Sequence, residues 1–171
     1  MPDAGSSEDL NAILTEQENL INTLKEKLEG KAAGHDSSIL DALIDKSITE
    51  ITIGAETIGN NAMYYCRSLE LADLLKARTI NQSAFYRCQS LVTVILRSDT
   101  VCTLANTSAF SYCYHFLGTQ DNTYNPNGDM DGYFYVPKTL LASYQSATNW
   151  STYSTQFRAI EDYPDICGGV S

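Results

Sequence analysis

The residues best suited to nucleophilic or metal chemistry in this chain are His35, His115, five cysteines and an aspartate group at Asp121, Asp129 and Asp131. Acid–base or nucleophilic catalysis needs a titratable pair held in place by a third group. Cys113 and His115 stand two residues apart and would share a face on a strand, yet no third residue in the pattern orients them. His35 falls in a glycine-containing linker, so a structural or surface role is expected for both histidines. The aspartates lack the order of a calcium-binding EF-hand loop and its closing glutamate, and read as a solvated loop. Phosphate loops, GxSxG and HExxH are absent from the sequence. The expectation is a non-enzymatic protein without a cofactor or metal.

The cysteines point to architecture instead. Cys66, Cys88 and Cys113 close three similar runs, Thr57-Ile-Gly-Asn-Asn-Ala-Met-Tyr-Tyr-Cys66, Thr79-Ile-Asn-Gln-Ser-Ala-Phe-Tyr-Arg-Cys88 and Thr103-Leu-Ala-Asn-Thr-Ser-Ala-Phe-Ser-Tyr-Cys113. Beside them recurs an LxxLxL pattern: Ile48/Ile51/Ile53, Leu69/Ala72/Leu74 and Leu91/Val94/Leu96. The period lies in the roughly 20- to 29-residue window of leucine-rich repeats. Each LxL predicts a short parallel strand with two inward side chains. Ala62, Ala84 and Ala109 then mark tight turns, and Met63, Phe85 and Phe110 fill the core between coils. The three repeat cysteines are expected to be buried free thiols, because their spacing follows the coil and unpaired cysteine is among the most buried residue types.

The runs ITEITIGAETIGNNAMYYCRSL and INQSAFYRCQSL resemble the BspA-like leucine-rich repeat over residues 39–117 in three copies. Met63 replaces the usual Phe, and the third copy loses its trailing Leu, with Phe116 nearby. YVPKTLLASYQSATNWSTYSTQFRAIEDYP is similar to the capping unit of such repeats, which makes Trp150 a packing anchor. With the heptad described below, the resemblance gives the expected α+β chain: an N-terminal coiled-coil helix, a short leucine-rich-repeat solenoid, and a C-terminal helical cap.

The organisation expected is a flexible attachment tail at 1–8, a coiled-coil stalk at 9–30, a linker at 31–38, the solenoid at 39–117, and loop, terminal strand and capping unit at 118–171. In the stalk, Leu14, Ile21 and Leu28 occupy a, and Leu10, Gln17 and Leu24 occupy d, of a heptad. Ile13 and Leu20 at g widen the stripe, so a homotrimer is favoured over a dimer. A helix packed onto its own domain is the alternative.

Net charge is −10, which disfavours nucleic acid and anionic membranes, and no apolar run reaches the roughly 20 residues of a membrane span. The first 30 residues lack the basic and apolar regions of an export signal. Eleven tyrosines give an aromatic exterior suited to recognition. The candidate contact faces are the outward strand positions Thr52, Asp73 and Ile95, or Tyr64, Tyr65, Tyr86 and Tyr112 on the opposite side. The order of segments, together with a stalk similar to those of Gram-positive phage structural proteins, implies a virion appendage on a tail, baseplate or head fibre. Its partners would be other virion proteins through the N-terminus and a host-surface glycan or protein through the repeats. A bacterial surface adhesin and an intracellular peptide-binding scaffold are the alternatives.

Overall fold

The computed structural model describes residues 19–24 and 48–168. The attachment tail, the linker and most of the stalk lie outside the described residues.

Every repeat contributes one layer to two parallel sheets. The longer strands β1 (Glu50–Ile53), β3 (Leu71–Leu74), β5 (Thr93–Leu96), β7 (Tyr133–Val136) and β8 (Phe157–Ala159) hydrogen-bond in that order, all parallel. The two-residue strands β2 (Thr57–Ile58), β4 (Thr79–Ile80) and β6 (Thr103–Leu104) form a second parallel ladder. Strand alternation sends Ile51, Ala72, Val94, Phe134 and Phe157, level across the large sheet, into the core. Thr52, Asp73, Ile95, Tyr135 and Arg158 form the matching outward row.

The third side of each coil is the Ala-(Met/Phe)-x-x-Cys turn. Met63, Phe85 and Phe110 are buried, and the Phe85 and Phe110 rings stack at 5.3 Å and 3°. Three residues after each repeat cysteine stand Leu69, Leu91 and Phe116, each fully buried, so Phe116 occupies the place of the missing leucine. The larger ring demands room: a Cβ on Gly132 would come within 3.0 Å of it.

A parallel stack ends in unpaired backbone groups, and the cap satisfies those of the third coil. The Tyr144 hydroxyl accepts from the Cys102 amide at 2.8 Å, Trp150 Nε1 donates to the Cys102 carbonyl at 2.6 Å, and Asn149 Nδ2 donates to the Leu104 carbonyl at 2.7 Å. Phe134, Tyr144, Trp150, Tyr153 and Phe157 surround those contacts as one buried aromatic cluster. Trp150 is thus a packing anchor, with its one donor spent on the coil edge. The cap is not purely helical, because β7 and β8 extend the repeat sheet by two further strands.

At the other end the first coil carries a cleft among the described residues. Ile51, Ile53, Ile58, Ala62 and Met63 line an apolar cleft of about 460 Å³. Residues 19–24 are helical; Leu24 is half-buried and packs against the core, whereas Leu20 and Ile21 are 43% and 50% exposed. At Leu24 the stripe therefore meets its own chain, and Ile21 is the seam position that faces out. Among the described residues no helix is long and apolar enough to cross a membrane.

Candidate recognition face

The turn side is built on a backbone that most side chains avoid. Tyr65, Arg87 and Tyr112, each just before a repeat cysteine, have φ of 64°, 60° and 62°. Asn61 and Ser83, each just before the repeat alanine, have φ of 58° and 56°. For an L-residue the left-handed region costs roughly 1–2 kcal/mol, and only glycine, with Asn and Asp some way behind, enters it cheaply. Coil-to-coil hydrogen bonds hold the turns there. Met63 N donates to the Ala84 carbonyl at 2.7 Å and Tyr65 N to the Tyr86 carbonyl at 2.9 Å; one coil on, Phe85 N reaches Ala109 O at 2.8 Å and Arg87 N reaches Ser111 O at 2.9 Å. The third copy, with its extra residue, begins as a 3₁₀ turn at Thr107–Phe110, capped by Asn106 Oδ1 accepting from Ser108 N.

The cysteines form a second ladder behind the turns. Cys88 Sγ donates to the Met63 carbonyl and Cys113 Sγ to the Phe85 carbonyl, each at 3.1 Å. Cys66, Cys88 and Cys113 are all buried and outside any disulfide, as their spacing predicts. Burial pushes the Cys113 thiol well above its ordinary value, keeping it a protonated donor and a poor nucleophile.

Outside this ladder the side chains form columns. Tyr65, Arg87 and Tyr112 stack along the coil axis, with the Arg87 guanidinium 5.0 Å from the Tyr65 ring centre and 4.7 Å from that of Tyr112. Beside them Tyr64 and Tyr86 stack at 5.0 Å and 6°, and Tyr86 meets Tyr112 edge-on at 5.2 Å. The column following the cysteines is Arg67, Gln89 and Tyr114, where Arg67 lies 5.2 Å from the Tyr65 ring centre and Gln89 Nε2 donates to the Tyr114 hydroxyl at 3.0 Å. Tyr64 and Tyr112 are 36% and 44% exposed. Although the chain carries net charge −10, segments 57–69, 79–98 and 100–120 hold no Asp or Glu. The turn face is therefore a cationic, aromatic strip on an acidic protein. Tyr64, Tyr65, Tyr86 and Tyr112, singled out in the sequence, come together here. Arg67 and Arg87 were missed there, although aligning the repeats puts Arg87 in the Tyr65 and Tyr112 position.

The sheet face is different, and Ile95 does not belong to an open surface. It is 1% exposed, beneath Tyr135, Ile160 and Cys167. Alternation places Ile95 outward, but outward here faces the C-terminal segment of the same chain, the 3₁₀ turn Ile160–Asp162 and the short helix Pro164–Cys167. Asp73 is engaged as well. Arg97 donates to both its carboxylate oxygens, Nε at 2.7 Å and Nη2 at 2.9 Å, and Nη2 also reaches the Cys167 carbonyl at 2.5 Å. Thr52 alone of the three is exposed.

His115 ties down the loop after the third coil. Its Nδ1 lies 2.6 Å from Asp131 Oδ1 and its Nε2 2.9 Å from the Tyr124 carbonyl. Asp121 Oδ1 accepts from the Thr123 and Tyr124 amides. Among the described residues no group of three His, Cys, Asp or Glu side chains gathers as a metal site.

Stacked parallel layers, a cysteine ladder that keeps its place from coil to coil and a terminal cap are compatible with a leucine-rich-repeat solenoid. Residues 41–118 match the model of a family described as the BspA type leucine rich repeat region (6 copies), and this part of the chain is similar to that family. No curated protein matches the chain.

Proposed function

We propose that this chain is a non-enzymatic surface-recognition protein whose turn face makes the contact. The observation that carries the reading is the Tyr65–Arg87–Tyr112 column: three large side chains held in a left-handed backbone, Tyr112 exposed and Tyr65 and Arg87 half-buried, on a strip free of acids. Strained residues held in place by the surrounding structure cluster at functional sites. In the first form of this reading the protein is a phage virion appendage, attached by its N-terminus, trimerised by the Leu10–Leu28 stripe, and displaying the repeats to a host surface. Its support is the order of segments and the heptad, with Ile21 exposed. Three copies would then raise a weak single-site affinity by roughly 10²- to 10⁴-fold where the geometry lets all engage. The second form, a bacterial surface adhesin, is favoured by the similarity to the BspA type repeat.

Attachment to target cells tests the face. Tyr86→Ala is expected to abolish it and Asp73→Lys to leave it intact; the reverse result moves recognition to the sheet. Light scattering on the full chain tests the stalk: a trimer at micromolar concentration is expected, and a monomer means that the helix packs only in cis.

A further inference from the structure

We infer that the ligand of the turn face is a carboxylate-bearing glycan chain, of the uronic-acid kind, laid along the coils. This rests on the recognition reading above and specifies its chemistry.

The tyrosines are not arranged to receive an apolar side chain. Tyr64 and Tyr86 each give one ring face to the other, Tyr65 packs against Tyr64 at 4.6 Å and Tyr112 edge-on against Tyr86 at 5.2 Å, so much of the ring surface is already in contact and rims and hydroxyls remain for a ligand. Aromatic rims carry positive partial charge, and phenol hydroxyls donate and accept. Arg87, its Nε buried, adds a planar cation between the Tyr65 and Tyr112 rings whose terminal Nη groups suit a carboxylate. Around them stand neutral hydrogen-bonding groups, Asn61, Gln82, Ser90 and Ser111 among them, and over 57–69, 79–98 and 100–120 the one exposed Leu, Ile, Val or Met is Leu117, past the third turn. The strip therefore asks for a partner rich in hydroxyls and bearing anionic groups, without an aliphatic anchor.

The layout suits a polymer. Successive coils bring the Tyr64 ring to 5.0 Å from Tyr86, and Tyr86 to 5.2 Å from Tyr112 of the neighbouring column, a spacing on the scale of one sugar ring per coil. The face is also rigid before binding. Tyrosines have few rotatable bonds, and the turns beneath them are locked to the next coil by backbone hydrogen bonds, so little conformational entropy is lost on contact. The whole chain carries net charge −10 although the strip holds Arg67 and Arg87, so the other faces repel a polyanion and confine it to this strip.

The test is calorimetry of the full chain against three probes: polygalacturonate, its methyl ester, and poly-L-glutamate. The ester keeps the sugar backbone and removes the charge; the polypeptide keeps the carboxylates and removes the sugar. Polygalacturonate is expected to bind at least tenfold more tightly than either. Arg87→Lys, which keeps the charge and loses the planar fork, and Tyr112→Asn, which keeps a residue at ease in the left-handed backbone, are each expected to weaken that binding at least tenfold with unchanged unfolding temperature. Asp165→Asn, on the C-terminal helix, is expected to leave it unchanged. Equal binding of poly-L-glutamate would overturn the proposal in favour of an acidic protein partner, and equal binding of the ester would remove the anionic requirement. Indifference to Arg87→Lys would overturn it as well. If polygalacturonate fails while Tyr86→Ala still abolishes cell attachment, the ligand class is wrong and the recognition function stands; if both fail, both are wrong.

Discussion

The two long faces of this solenoid are made by the same repeats and solve opposite problems. On the sheet face the backbone is regular, the outward residues are ordinary strand formers, and the chain covers them itself: Ile95 and Tyr135 lie under the C-terminal segment, and Arg97 clasps Asp73 to the Cys167 carbonyl. On the turn face the backbone is strained at corresponding places in successive coils, and the large side chains there stay at the surface. Where regular structure is available the chain uses it to close itself. Where it keeps Tyr, Arg and Tyr in conformations that glycine or asparagine would adopt more cheaply, backbone preference does not explain the choice, which is the ground of the recognition proposal.

The contrast breaks most visibly at Ile95. Ile95→Lys puts a charge under the C-terminal segment and is expected to cost about 3–5 kcal/mol in denaturant unfolding. Thr52→Lys, in the same outward row but exposed, is expected to stay within about 0.5 kcal/mol of the native chain. Equal effects would mean that the sheet face is open after all. The clasp gives a smaller change. Arg97→Ala leaves Asp73, whose side chain is only 17% exposed, without its partner and the Cys167 carbonyl without its donor, for an expected loss of about 2 kcal/mol.

A pH series probes the core that both faces share. Burial pushes the Cys102 thiol up to about 12 from an ordinary 9.0, and raises Cys113, Tyr144 and Tyr153 likewise. Above pH 9 the unfolded thiols release protons that the folded chain retains. Stability is therefore fully present below pH 9 and falls as pH rises toward 12, by up to about 1.4 kcal/mol per pH unit for each such group. Fast native-state labelling of the cysteines at neutral pH would contradict the burial on which this rests.

Much of the interior was legible in the sequence, because cysteine, alanine and aromatic positions repeat at a fixed offset and each has one job in every coil. Phe116 was visible as a neighbour of the missing leucine, although its equivalence to Leu69 and Leu91 needed the register. The two-residue ladder β2-β4-β6 and the strand β8 were not visible, since such short strands leave no alternation to read. Ile95 was misplaced for a different reason. Period-two patterning tells which side of a strand a residue is on, and nothing about what later folds over that side. The left-handed turns went unseen because Tyr and Arg give no propensity signal for them, and so the two arginines that complete the face were passed over.

The central claim is that the left-handed positions are occupied for the surface and not for the fold. Thermal unfolding of a chain carrying Tyr65→Asn, Arg87→Asn and Tyr112→Asn together tests it most directly, since asparagine tolerates the backbone and removes the column. The account predicts an unfolding midpoint at or above that of the native chain, with attachment lost. A midpoint lowered by roughly 5 °C or more, on the order of 1 kcal/mol for a domain of this size, would show that the Tyr–Arg column holds the solenoid together and would contradict the claim.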